Sequence, residues 1–109
     1  MSEIKEIISK IVKFRDDRDW EQFHNSKDLA IALNIEAAEL LELFLWRKSE
    51  DANNLKVEEE LADVIIYALL LAHKHNLDIA AIVEKKLSKN SEKYPVSKSK
   101  GSSKKYNEL

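Results

Sequence analysis

Cysteine is absent from this 109-residue chain. That excludes disulfides, thiolate metal sites and cysteine nucleophiles, and it agrees with a reducing, cytoplasmic setting. A single glycine and a single proline leave little material for hairpin turns, so an all-α fold is expected. Because the lone glycine is Gly101, a glycine-rich phosphate loop is excluded. No apolar run reaches the length of a membrane span without a charge, so no membrane association is expected. The opening Met-Ser-Glu-Ile-Lys-Glu has neither the basic region nor the apolar core of a signal peptide. No nucleic-acid-binding module signature is present, and no nucleic-acid partner is expected.

What is present is helical periodicity. Ile4, Ile7, Ile8, Ile11, Val12 and Phe14 recur at helical spacing and predict a first helix over roughly residues 2–18, with Ser2 as a candidate cap. Trp20 to Ser26 breaks the pattern and reads as a loop. Asn25 or Ser26 can cap a second helix running to about Lys48. A third is expected from about Leu55 to His75, and a fourth from the cap Asp78 to about Lys93, stopped by Pro95. The expected architecture is a four-helix bundle over residues 1–95 with a basic, flexible, irregular tail over 96–109. The second and third helices are apolar on more faces than one hairpin partner can cover, so oligomerisation is expected to complete the bundle.

Two acidic pairs carry most of the chemical information: Glu36-Ala-Ala-Glu39 and Glu60-Leu-Ala-Asp63. Three-residue spacing puts both carboxylates of a pair on one face of a helix. From Leu29 to Trp46 the only charges are Glu36, Glu39 and Glu42, and from Leu61 to Ala72 the only charge is Asp63. Carboxylates in apolar surroundings without basic partners are costly unless something neutralises them. Antiparallel packing of the two helices would bring the pairs to similar depth. Four oxygen ligands suit Mg²⁺, with Mn²⁺ as an alternative, rather than Zn²⁺. Glu42 and Glu59 lie within about a turn of the pairs and either join the site or face solvent. A di-iron site would need two Glu-x-x-His motifs, and only Glu21-Gln-Phe-His24 occurs, in the expected loop.

His24 beside Trp20 offers an imidazole and an indole that could hold a base, or a loop anchored in the core by Trp20 and Phe23. Trp46 either lines the site or caps the core. Tyr67, four residues after Asp63, shares its stripe. His73 and His75 read as surface residues. Residues 84–105 hold eight lysines against Glu84 and Glu92, so an acidic body is followed by a basic segment. That segment reads either as a partner for phosphates beside a metal or as a solvated tail.

With these residues in view, the chain resembles the all-α nucleoside triphosphate pyrophosphohydrolases of the MazG-like superfamily. Glu-x-x-Glu, a spacer of twenty residues and Glu-x-x-Asp is similar to their signature. The segments Arg18-Asp-Trp-Glu-Gln-Phe-His24, Glu36 to Trp46, Glu59 to Tyr67, Lys93-Tyr-Pro95 and Lys100 to Tyr106 are similar to the dCTP pyrophosphatase branch. The resemblance implies a Mg²⁺-dependent enzyme that cuts a nucleoside triphosphate between its α and β phosphates, and a homo-oligomer, dimer or tetramer. It further implies metal ligation by Glu36, Glu39, Glu60 and Asp63. Trp20, Trp46 and Tyr67 would surround base and sugar, with His24 also at the substrate. Lys86, Asn90 and Tyr94 would contact phosphate or sugar. Glu36 or Glu39 would act as general base. One departure stands out: Ile11 occupies the place where some branch members carry a histidine. Two readings of other classes remain beside this one, a non-catalytic helical oligomerisation module and a nucleotide sensor without turnover.

Overall fold

The computed structural model describes residues 2–109, and among them it is all-helical. Helix α1 spans Glu3–Asp17, α2 Ser26–Glu42, α3 Asn54–Lys74, α4 Ile79–Lys93 and α5 Val96–Ser99. Short 3₁₀ turns occupy Glu21–Phe23, Ser49–Asp51 and Tyr106–Glu108. The four long helices share one device at their starts. Ser2 Oγ accepts from Lys5 N (3.2 Å), Asn25 Oδ1 from Asp28 N (2.8 Å), Asn53 Oδ1 from Lys56 N (3.2 Å) and Asp78 Oδ1 from Ala81 N (2.9 Å). Each cap satisfies a donor that the helix itself leaves open, worth about 1 kcal/mol.

The chain divides into two compact units, residues 1–76 and 77–109. In the first, α2 packs chiefly on α3, and α1 lies against α3 as well. Leu29 of α2 and Leu70 and Ala72 of α3 are its buried apolar side chains. A wide set of large apolar residues stays exposed, including Ile31 and Ile35 on α2 and Leu61 and Ile65 on α3. Each of these pairs is spaced four apart, so each forms a stripe on one helix face. The second unit consists of α4, α5 and the closing turn. There the Tyr106 ring meets Tyr94 edge-on at 6.1 Å and receives the Lys93 ammonium at 4.8 Å.

The structure departs from the sequence expectation in two places. Helix α2 stops at Glu42 rather than near Lys48, and its last turn tightens through Leu43 N to Leu40 O (3.3 Å) and Phe44 N to Leu41 O (2.9 Å). Its final turn carries Glu39 and Glu42 and no basic residue, so like charge meets the negative end of the helix dipole there. The tail is also less irregular than expected, because α5 forms directly after Pro95, a residue preset for a helix start.

Candidate metal centre and adjoining cleft

Helix geometry builds the centre from two sides. Glu36 and Glu39 project from α2 one turn apart, and Glu60, Asp63 and Tyr67 follow one stripe of α3. Packing of α2 on α3 brings Glu36, Glu60 and Asp63 together, with one carboxylate oxygen from each within 4.8 Å of the others. Glu39 is more exposed than these three, and its carboxylate is among the neighbours that raise the pKa of Glu36 and of Glu60. Glu42 and Glu59 are exposed.

The electrostatics of this cluster are unfavourable without a cation. Burial, and then the neighbouring carboxylates of Glu39, Asp63 and Glu60, push the Glu36 carboxyl up to about 7. Glu60 is raised too, by burial first and by Glu39 next. Glu36 Oε2 and Glu60 Oε2 are both buried with no hydrogen-bond partner. Unpaired buried oxygens of like charge are the condition that a bound cation relieves. The residues fit a hard divalent ion: all donors are carboxylate oxygens and no nitrogen or sulfur ligand joins them.

Asp63 also belongs to the wall of a cleft of about 510 Å³. Ile11 and Phe14 of α1 and Ile66 and Leu70 of α3 give it an apolar lining, and Trp20 closes one side. Trp20 meets Phe14 edge-on at 5.8 Å, while the Arg18 guanidinium covers the Phe14 ring at 3.6 Å. The loop that carries Trp20 and His24 is held by Trp20 N to Arg15 O (3.1 Å) and His24 N to Glu21 O (2.9 Å). Asp19 takes a left-handed conformation there (φ 54), one that aspartate tolerates better than most residues.

Polar groups in this cleft are few. His24 and Tyr67 stand edge-on with ring centroids 6.5 Å apart. Burial, followed by the positive charges of Arg15 and Lys74, lowers the His24 pKa, so its imidazole is neutral near pH 7. Its Nδ1 is buried with no partner. Burial, followed by the negative charges of Glu36 and Asp63, raises the Tyr67 pKa, so its hydroxyl keeps its proton. Arg15 is 7% exposed, the one charged residue buried among those described.

Of the residues expected at the site, Glu36, Glu60 and Asp63 meet, Glu39 stands beside them, and Trp20, His24 and Tyr67 line the adjoining cleft. Trp46 is not brought there. It lies beyond the end of α2, fully exposed and in a left-handed conformation (φ 63), so it neither caps the core nor lines this cleft. Lys86, Asn90 and Tyr94 belong to the second unit, where four-residue spacing sets them along one face of α4 and its C-cap. Arg15 and Lys10 line the cleft and were not singled out from the sequence. The signal for Arg15 was its phase, since Ile7, Ile11 and Arg15 are spaced by four on α1.

Comparison with known proteins follows the same lines. A family model described as the MazG-like family matches residues 31–109. The chain is 38% identical over 105 residues to dCTP pyrophosphatase 1 of Rattus norvegicus and 37% identical to that of Homo sapiens. Each alignment covers 89% of this chain and 62% of the relative, so the chain spans under two thirds of those proteins' length. A pyrophosphatase from Archaeoglobus fulgidus DSM 4304, solved as a crystal structure, superposes with a TM-score of 0.81 at 38% identity. That match covers 87% of this chain and 94% of the other.

Proposed function

The chain belongs to the MazG-like family, and from that membership we propose that it is a Mg²⁺-dependent nucleoside triphosphate pyrophosphohydrolase. Its substrate in this reading is dCTP or a related pyrimidine triphosphate, and its products are the monophosphate and pyrophosphate. The observation that carries the reading is the convergence of Glu36, Glu60 and Asp63, with orphaned oxygens, at the edge of an apolar cleft roomy enough for a nucleoside.

Glu36, Glu60 and Asp63 would hold the cation, Mg²⁺ or in its place Mn²⁺. Bound there, the ion supplies neutralisation of phosphate charge and acidification of water. Glu39, outside the three convergent carboxylates, would accept the proton of the attacking water. Trp20 and Phe14 offer ring surface to the base, and the Tyr67 hydroxyl can donate to sugar or phosphate. In this reading the lysines of residues 84–105, with Asn90 and Tyr94, would supply donors for the phosphates.

A homo-oligomer, dimer or tetramer, is part of the same proposal, because a second copy would cover the exposed apolar stripes Ile31/Ile35 and Leu61/Ile65. Turnover of dCTP in Mg²⁺ and in excess chelator tests the catalytic reading. Activity is expected only with the cation. Asp63→Asn should lower it by at least the ~10–100-fold that loss of even a supporting partner costs a metal site, with helix content unchanged. Full activity of that variant would reject the site.

A further inference from the structure

Arg15 is the feature of this cleft that the proposed chemistry does not use. Its guanidinium sits in a wall that is otherwise largely apolar, on the α1 stripe continued from Ile7 and Ile11. Two of its nitrogens are committed: Nε donates to Asp16 Oδ1 at 2.9 Å, and Nη2 lies 2.8 Å from the same oxygen. Glu21 is farther, 3.9 Å from Nη2. Nη1 makes no hydrogen bond among the described residues, and Arg15 lines the cleft. A guanidinium tied to a carboxylate through two nitrogens, with a third unengaged, is a fixed donor in the wall of a cleft. The neighbouring His24 Nδ1, buried and unpartnered, is a second polar group left for a ligand.

Accepting that the triphosphate lies at the carboxylates, Asp63 fixes which end of the cleft the phosphates take, and the base falls toward α1. From this geometry we propose that Arg15 is a specificity-determining residue, donating through Nη1 to a carbonyl oxygen of the bound base. The guanidinium has no acceptor and stays charged, so it rewards a base that presents a carbonyl and penalises one that presents a donor. Ile11, one turn before it, adds no competing polar group on that face. The bland alternative is that Arg15 only staples the Glu21 turn to α1.

The test is calorimetric titration with deoxycytidine monophosphate and, as a ligand without a base, deoxyribose 5-phosphate, with helix content followed by circular dichroism. Arg15→Met keeps length and apolar packing and removes every donor. It should weaken deoxycytidine monophosphate binding about 10–100-fold, the range for a hydrogen bond to a charged group, and leave the sugar phosphate unchanged. Arg15→Lys keeps the charge but offers one ammonium already drawn to Asp16, so it should show the same base-dependent loss in smaller measure and decides the matter should the Met variant lose its fold. Affinity for deoxycytidine monophosphate unchanged in Arg15→Lys and Arg15→Met overturns the proposal, as does equal loss for both ligands. If the wild-type chain binds neither compound, the substrate reading falls and the proposal with it.

Discussion

Binding of a divalent cation to this chain should release protons, and the release should depend on pH in a way set by Glu36. The carboxyl is pushed up to about 7 by burial and by the carboxylates of Glu39, Asp63 and Glu60. At pH 6 it therefore holds about 0.9 of a proton before the ion arrives, and at pH 8 about 0.1. The cation needs the ionised form, so titration of Mg²⁺ should expel about 0.9 proton from Glu36 at pH 6 and about 0.1 at pH 8. Glu60, raised in the same direction, adds to the release at the lower pH. Calorimetry in buffers of different ionisation enthalpy reads this number directly. The stability sign follows. A carboxyl with a raised native pKa favours the fold below its unfolded value near 4.5 and loses that contribution as pH rises through about 7. The metal-free protein should thus lose melting temperature over that window, saturating Mg²⁺ should cancel the loss, and Glu36→Gln should reduce both effects to the part that Glu60 contributes. Proton release that stays constant from pH 6 to pH 8, or that is undiminished in Glu36→Gln, would overturn this assignment.

Leu29→Ala removes the most buried side chain and should cost about 2–5 kcal/mol, read as a lower denaturation midpoint at constant m-value. Ile65→Glu places a charge in an exposed apolar stripe of α3 and should shift the chain toward monomer by light scattering, whereas the wild type should be oligomeric at micromolar concentration. Removal of residues 97–109 should raise KM for the triphosphate and leave Mg²⁺ affinity and helix content in place, if the lysines of that segment contact phosphate as proposed. An unchanged KM would return the segment to the status of a solvated charge run.

The parts of this molecule that could be read without coordinates are those controlled by local spacing. Ser2, Asn25 and Asp78 are caps because short polar side chains precede apolar periodicity, and each does accept a helix N–H. The acidic pairs stood out because three-residue spacing and missing counter-charges are both visible in the chain, and Glu36, Glu60 and Asp63 do converge. The end of α2 was not visible, since apolar periodicity continues through Leu43, Phe44 and Leu45 while acidic side chains oppose the helix dipole there. The position of Trp46 was hidden for the same reason: it lies past the point where the helix stops, exposed and in a left-handed conformation. Arg15 was overlooked because a charged residue on an amphipathic helix is ordinarily solvated, whereas here it is buried, with its carbonyl accepting from Trp20 N of the loop.

The proposed reaction is hydrolysis between the α and β phosphates of a nucleoside triphosphate at a cation held by Glu36, Glu60 and Asp63. Phosphorus NMR of dCTP incubated with the chain and Mg²⁺ tests it most directly. The account predicts deoxycytidine monophosphate and pyrophosphate in equal amounts, and none of either in excess chelator. Orthophosphate with deoxycytidine diphosphate, or unchanged dCTP across the pyrimidine and purine triphosphates, would contradict it.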